Sequence, residues 1–217
     1  MNRPARLVVA ALTVSTALLL TACGSGGGDD SSSDKIKGAE TGGRTPSASA
    51  SAPTSPSDGV KRPEITLSKE FQANFDGWTN SDPKLQAILN DGREELRSKY
   101  AAIIQANPDS DAVAFYNSGT SLTSARKWVK SFTDTDDGLI GKVTVYRPQV
   151  HINDSGSGVL FYCVDERKAS TKNRKTGKVT TTPDKPESVL QYRARLDKTS
   201  QGVWKNVSLT TVAGGCG

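Results

Sequence analysis

The chain has 217 residues, 35% of them hydrophobic, and a formal net charge of +5 that falls to +3 without its first 22 residues. So mild a charge argues against a dedicated nucleic-acid-binding protein, which is usually more basic. One histidine and three cysteines give no zinc-like spacing, and phosphate-binding, dinucleotide-binding and Gly-x-Ser-x-Gly motifs are absent, which disfavours metalloenzymes, nucleotide enzymes and hydrolases and predicts no metal or cofactor.

Residues 1–22 have the pattern of a bacterial export signal. Two arginines precede an apolar run from Leu7 to Leu20, which is shorter than the roughly 20 residues that span a membrane. Ala22 then precedes Cys23, an ending that resembles the lipobox of bacterial lipoproteins. The resemblance implies that Cys23 is lipidated and anchors the chain to the cell membrane on its extracytoplasmic face. The alternative is an ordinary secretory signal.

The next segment, 23–62, is rich in Gly, Ser, Pro and Ala and has no apolar periodicity. Such a composition predicts a disordered tether, because it offers little to bury. Residues 63–217 are enough for a single globular domain with its own core.

Cys163 and Cys216 are the two cysteines left in this domain. Two cysteines in an exported domain most often pair, which predicts a disulfide. The alternative is a buried thiol at Cys163 and a free thiol at Cys216.

The first half of the domain has helical periodicity. Phe71, Phe75 and Trp78 follow an i, i+4, i+7 pattern that predicts a first helix. Asp82 is a favourable N-cap followed by proline, and the apolar stripe after it predicts a helix over 83–106.

A short segment, 111–117, carries Val113, Phe115 and Tyr116 and ends at Ser118-Gly119. Another helix is predicted to begin with Thr120 or Ser121 as its cap. Its apolar face includes Trp128.

After Gly138 the apolar residues recur with a period of two, which is typical of β-strands. Pro148 interrupts the first run, which predicts a bulge or bend there. A run that is apolar on both faces follows the turn at 153–158 and predicts a central strand. The four predicted strands are 140–152, 159–166, 189–196 and 203–212. Helices followed by antiparallel strands predict an α+β fold with N-terminal helices packed on a sheet of about four strands.

This layout resembles the nuclear-transport-factor-2-like fold, also described as a cystatin-like cone, in which a curved sheet wraps against N-terminal helices. The chain also resembles a set of uncharacterised lipoproteins from high-GC Gram-positive bacteria. The matching residues are 115–119, 125–131, 162–165, 174–178, 202–204 and Cys216. The resemblance implies a fold and a compartment. It implies no activity, because cone folds host isomerases, dehydratases, transport adaptors and secretion scaffolds.

Six residues are candidates for a ligand pocket: Tyr116, Trp128, Tyr162, Asp165, Tyr192 and Trp204. The concave face of the sheet near Tyr162, Tyr192 and Trp204 is the predicted binding surface. The alternative for the aromatic residues is an ordinary place in the core. Asp165 shares its strand face with Cys163, so it either projects into a cavity with a raised pKa or pairs with Arg167 at the strand end. No catalytic residue is assigned.

His151 is the only histidine, and strand alternation predicts that it faces solvent, because Val150 and Ile152 face the other way. A basic loop is predicted between the second and third strands. Its six basic residues are Arg167, Lys168, Lys172, Arg174, Lys175 and Lys178. This loop either touches an anionic surface, such as lipid headgroups, or is a solvated hairpin tip.

The leading hypothesis is a membrane-anchored, non-enzymatic domain that binds a small apolar ligand or a partner protein of the cell envelope. A second hypothesis is an isomerase or dehydratase of the cone type, with Asp165 or His151 as its base. A third is a scaffold or accessory subunit of a cell-envelope or secretion assembly.

Overall fold

A long helix packed across a seven-stranded sheet organises the part of the chain that the computed structural model describes, residues 59–216. The helices are α1 (Pro83–Ile104), α2 (Asp111–Tyr116) and α3 (Gly119–Thr133). The strands are β1 (Phe71–Phe75), β2 (Asp137–Ile152), β3 (Gly158–Asp165), β4 (Ala169–Asn173), β5 (Val179–Thr181), β6 (Val189–Lys198) and β7 (Trp204–Ala213). The predicted export signal, Cys23 and most of the expected tether lie outside the described residues.

The strand order in the sheet is β5-β4-β2-β3-β6-β7, with β1 added beside β2. All neighbours are antiparallel except β1 and β2, which run parallel. The α+β fold with helices packed on a curved antiparallel sheet is therefore confirmed, with seven strands in place of about four. The central place predicted for the strand at 159–166 is also confirmed, since β3 lies between β2 and β6.

The main core lies between α1 and one face of the sheet. On that face β3 contributes Leu160, Tyr162 and Val164, all buried, and β6 contributes Tyr192, Ala194 and Leu196. Helix α1 begins where the sequence predicts, because the Asp82 carboxylate accepts hydrogen bonds from the amides of Lys84 and Leu85, at 2.7 and 3.3 Å.

The predicted irregularity at Pro148 is a β-bulge in β2. The pairing of β2 with β3 shifts between Tyr146 and Gln149. Arg147 has a φ of 52°, a left-handed conformation that lets β2 bend while it stays paired with β3 on both sides of the bulge.

The prediction of a first helix is wrong, because residues 71–75 form strand β1. Phe71 and Phe75 are four residues apart, a spacing that places two side chains on one face of a helix and also on one face of a strand. The free edge of β2 decides between them, since pairing with Gly141–Val145 satisfies the backbone of β1.

Candidate ligand-binding cavity

A cavity of about 380 Å³ lies between α1, α3 and the core-facing side of the sheet. We call it the aromatic cavity. Its wall consists of Phe71, Tyr100, Trp128, Phe132, Leu139, Val143, Glu166, Ala169, Ser170, Thr171, Thr182, Leu190, Tyr192 and Thr211. Aromatic and aliphatic side chains dominate this wall, which is the usual composition of a small-molecule site.

Edge-to-face contacts hold the aromatic side chains of the cavity in place. The ring centroids of Phe71 and Tyr100 are 5.1 Å apart, and those of Trp128 and Phe132 are 5.4 Å apart. Tyr100 also contacts Trp128 at 6.1 Å and so links α1 to α3. Such contacts fix ring orientation beyond what area burial alone would do.

Tyr192 forms another side of the cavity and is supported from behind. Its ring stacks on that of Tyr162, with centroids 5.0 Å apart and planes within 7° of parallel. Trp78 contacts Tyr162 edge-on at 5.4 Å. Tyr162 therefore supports the cavity wall from behind but does not line the cavity itself.

Glu166 is the carboxylate of the aromatic cavity. It follows β3 directly, and its backbone amide donates to the carbonyl of Ser188 at 3.0 Å, which fixes its position. Within residues 59–216 its side chain has neither a hydrogen bond nor an ion pair. Burial, and secondarily the nearby charge of Asp165, raises the pKa of Glu166 to about 7.

A pH dependence of stability follows from this carboxyl. Folding raises the Glu166 pKa from 4.5 to about 7, so the folded state holds the proton more tightly than the unfolded state does. The resulting stabilisation is complete below the unfolded pKa and is lost as the pH rises through the folded pKa. Over that interval we expect the wild type to lose about 2 kcal/mol more free energy of unfolding than Glu166→Gln, since one pKa unit is worth about 1.4 kcal/mol and the side chain is partly solvated.

Urea unfolding of both proteins at a series of pH values measures this difference. A difference that stays constant with pH would show that the Glu166 carboxyl has an ordinary pKa.

A smaller pocket of about 170 Å³ shares Trp128, Tyr192 and Thr211 with the aromatic cavity. We call it the lysine pocket, because Lys99 lines it. Lys99 Nζ lies 3.0 Å from Glu95 Oε1, and both side chains are only 3% exposed. The Lys99 charge is thus compensated within the protein.

The Tyr100 hydroxyl is a hydrogen-bonding group with no partner among the described residues, although Tyr100 is only 2% exposed. Burial raises the pKa of Tyr100 well above its ordinary value, with smaller contributions from Tyr192 and Glu166. The hydroxyl is therefore protonated at neutral pH and able to donate or accept. A buried polar group without a partner is costly, which makes this hydroxyl a favourable contact for a polar group on a ligand.

The structure brings together only part of the residue set predicted for the pocket. Trp128 and Tyr192 line the aromatic cavity, with Tyr162 behind them. Tyr116 belongs to a different cluster, with Ile65 and Val203, and Trp204 is outside the cavity. The prediction that these two residues line the pocket is therefore corrected. Tyr116 is the last residue of α2, and the Trp204 backbone amide donates a hydrogen bond to the Asp91 carboxylate at 2.8 Å.

Of the two alternatives for Asp165, the structure supports pairing with Arg167 and not a place in the cavity. Its face of β3 is the one opposite the cavity, and Arg167 Nη2 lies 2.7 Å from its carboxylate. Hydrogen bonding from the Arg167 side chain lowers the pKa of Asp165. His151 is exposed and also lies outside the cavity wall, so neither proposed base is at this site.

The predicted basic loop is a hairpin formed by β4 and β5. Arg174 Nη2 donates to the carbonyl oxygens of Ile103 and Ile104, so this cation caps the C-terminus of α1. Three more of the six basic residues have ion-pair partners: Arg167 with Asp165 and Asp184, Lys172 with Glu70, and Lys175 with Asp136. Structural contacts therefore account for most of this positive charge.

The predicted disulfide is confirmed. The Cα atoms of Cys163 and Cys216 are 6.0 Å apart, and the bond joins the middle of β3 to the chain end beyond β7.

Sequence reasoning missed Glu166. Strand alternation contained the signal, because Leu160, Tyr162 and Val164 form the core-facing side of β3 and Glu166 continues that series.

Within residues 59–216, no helix combines the length and the apolar character needed to cross a membrane. In the same range, no three histidine, cysteine, aspartate or glutamate side chains are grouped so that they could hold a metal ion.

No protein-family model and no curated protein matches this chain. Among solved structures it is similar to the intermembrane space region of the chloroplast protein ARC6, at 10% identity and a TM-score of 0.44, over 62% of this chain and 99% of that one. It is also similar to a ketosteroid isomerase-like protein from Erwinia carotovora atroseptica, at 15% identity and a TM-score of 0.41, over 59% and 94% of the two chains.

A third similar structure is Aln2 from a Streptomyces species, at 12% identity and a TM-score of 0.42, over 58% of this chain and 90% of that one. Likenesses at this level carry no argument about activity. The fold class given above follows from the helices and sheet of this chain.

Proposed function

We propose that this protein is a membrane-anchored, extracytoplasmic, non-enzymatic binding domain that holds a small, largely apolar ligand in the aromatic cavity. The observation that carries the proposal is a cavity of about 380 Å³ whose wall combines five aromatic residues with polar groups that lack partners among the described residues. Typical ligand sites are of roughly 300–1,000 Å³ and have this composition.

The chemistry of the wall favours binding over catalysis. Asp165 and His151, the two bases considered from the sequence, are outside it. Glu166 is within it, but the residues around this carboxyl are mostly apolar, and no second carboxylate of the described residues lines the cavity. Such a wall supports retention of a ligand by burial of apolar surface, with a few polar contacts to orient it.

The sequence supports the anchor. Cys23 follows a lipobox-like end to the export signal, and a diacylglycerol on this cysteine would supply the two acyl chains that stable anchoring generally needs. We expect Cys23→Ser to move the chain from the membrane fraction to the soluble fraction and to abolish incorporation of labelled palmitate. Retention in the membrane fraction without label would point to an uncleaved signal segment in place of a lipid.

Closing the mouth of the cavity tests the binding function. Thr211 is exposed and lines both the aromatic cavity and the lysine pocket, whereas its neighbour Thr210 faces the other side of β7. We expect Thr211→Trp to weaken binding of the uncharged fluorescent probe N-phenyl-1-naphthylamine about tenfold or more, which corresponds to about 1.4 kcal/mol.

Thr210→Trp is the matched control, since it adds the same side chain one residue away. Both positions are exposed, so both variants should unfold at the same urea concentration as the wild type. Equal probe binding by the two variants would show that the ligand does not enter at Thr211.

A further inference from the structure

We infer that the ligand of the aromatic cavity carries an amine or quaternary ammonium cation, and that the Glu166 carboxylate is its counter-ion. The inference rests on the proposed binding function and adds the chemical class of the ligand.

The distribution of charge around Glu166 supports a cationic ligand. Helix α1 contributes the neutral Tyr100 and the Glu95–Lys99 pair. The charges of this pair neutralise each other across 3.0 Å. From β6 it receives the neutral Tyr192.

The remaining neighbouring elements add no opposing charge. The lining residues from α3, β1, β2, β4 and β7, and Thr182 beyond β5, are uncharged. Beside Glu166 in the chain, Asp165 is paired with Arg167 at 2.7 Å. Among the described residues, an ionised Glu166 is therefore the uncompensated charge of the cavity wall, and a ligand cation would neutralise it.

The aromatic wall suits the same ligand. Cations are attracted to the faces of aromatic rings within about 6 Å, and quaternary ammonium groups are bound in this way by cages of several rings. Two rings of this wall already interact with a cation, since Lys99 Nζ lies 5.9 Å from the centroids of both Trp128 and Tyr192. A ligand cation in the aromatic cavity would contact the rings of Trp128 and Tyr192, which line the same cavity as Glu166.

Two other ligand classes fit less well. An anion placed near Lys99 would also lie near Glu95, which already neutralises that lysine, and Glu166 would add repulsion. A neutral ligand that accepts a hydrogen bond from protonated Glu166 remains a competitor. The two classes respond to pH in opposite ways, because a cation requires the ionised carboxylate and an acceptor requires the protonated one.

A pair of isosteric probes isolates the contribution of the ligand's positive charge. Benzyltrimethylammonium and neopentylbenzene have the same shape and differ by one positive charge, and neither titrates. Their binding to the full-length chain is measured by Trp fluorescence at about pH 5.5 and about pH 8.5, on either side of the Glu166 pKa of about 7.

We expect the ammonium probe to bind roughly tenfold or more tightly at the higher pH, as the carboxylate becomes ionised. Glu166→Gln should remove this pH dependence and reduce the affinity at the higher pH to that measured at the lower pH. Neopentylbenzene should gain no affinity at the higher pH in either protein, and its binding to Glu166→Gln shows that the variant is folded.

Each other result has a distinct meaning. Equal binding of the two probes at both pH values, or tighter binding of the ammonium probe at low pH, would overturn the cationic ligand and leave the binding function intact. Failure of both probes and of N-phenyl-1-naphthylamine to bind would overturn the proposed function itself.

Discussion

Replacing Lys99 with methionine is expected to lower the free energy of unfolding by about 3–5 kcal/mol, because it leaves a buried carboxylate without its partner. Lys99 Nζ and Glu95 Oε1 are 3.0 Å apart on successive turns of α1, and each side chain is 3% exposed. Methionine keeps most of the apolar contacts of the lysine stem, so the loss measures mainly the stranded charge.

A double variant separates this charge effect from packing. We expect Glu95→Gln combined with Lys99→Met to be more stable than Lys99→Met alone, since no buried charge remains. Lys130→Met is the matched surface control, because the Lys130–Asp134 pair has the same i, i+4 spacing but is 62% and 56% exposed.

Urea unfolding of the four proteins gives the comparison. Lys130→Met should change the free energy of unfolding by less than about 0.5 kcal/mol. Losses of similar size for Lys99→Met and Lys130→Met would contradict the burial of the Glu95–Lys99 pair.

Removing the disulfide is the second large effect. Cys163 and Cys216 are 53 residues apart in the sequence, and a loop of this length stabilises a domain by about 4 kcal/mol in the chain-entropy model. We expect the double variant Cys163→Ala, Cys216→Ala to lose about that much free energy of unfolding. Part of the loss would come from release of the segment after β7, where Cys216 lies beside the carbonyl of Leu190.

Reduction provides the control for this prediction. Dithiothreitol should lower the stability of the wild type towards that of the double variant and leave the double variant unchanged. A double variant as stable as the oxidised wild type would show that the bond does not constrain the unfolded chain.

Patterns that only one conformation satisfies were predictable from the sequence. The Asp82-Pro83 start of α1, the bulge at Pro148 and the central place of β3 were each predicted and found. A cap or a proline in a strand imposes a specific backbone requirement, and a strand that is apolar on both faces must be covered on both, so few alternatives remain.

Pairing partners distant in sequence decided the elements that were missed. Strand β1 carries an aromatic spacing that fits helix and strand alike, and its pairing with β2 selects the strand. Strands β4 and β5 are polar and basic, so they carry no apolar alternation, and they form because β2 offers residues 137–141 as a partner to β4.

Predicting the residues of the cavity required knowing which face of β3 turns towards α1, and tertiary packing decides this. Asp165 and Glu166 are adjacent and lie on opposite faces of the sheet. The face that packs against α1 therefore determines which of the two carboxylates lines the cavity. The face of Leu160 and Tyr162 is the buried one, which places Glu166 at the cavity and Asp165 with Arg167.

A native mass spectrum of the full-length chain, purified from its own host without denaturation, tests most directly whether the aromatic cavity holds a ligand. We expect a mass above that of the covalent chain, lost on denaturation and absent from Thr211→Trp. A wild-type spectrum with the covalent mass alone, together with equal binding of N-phenyl-1-naphthylamine by Thr211→Trp and Thr210→Trp, would contradict a ligand in this cavity.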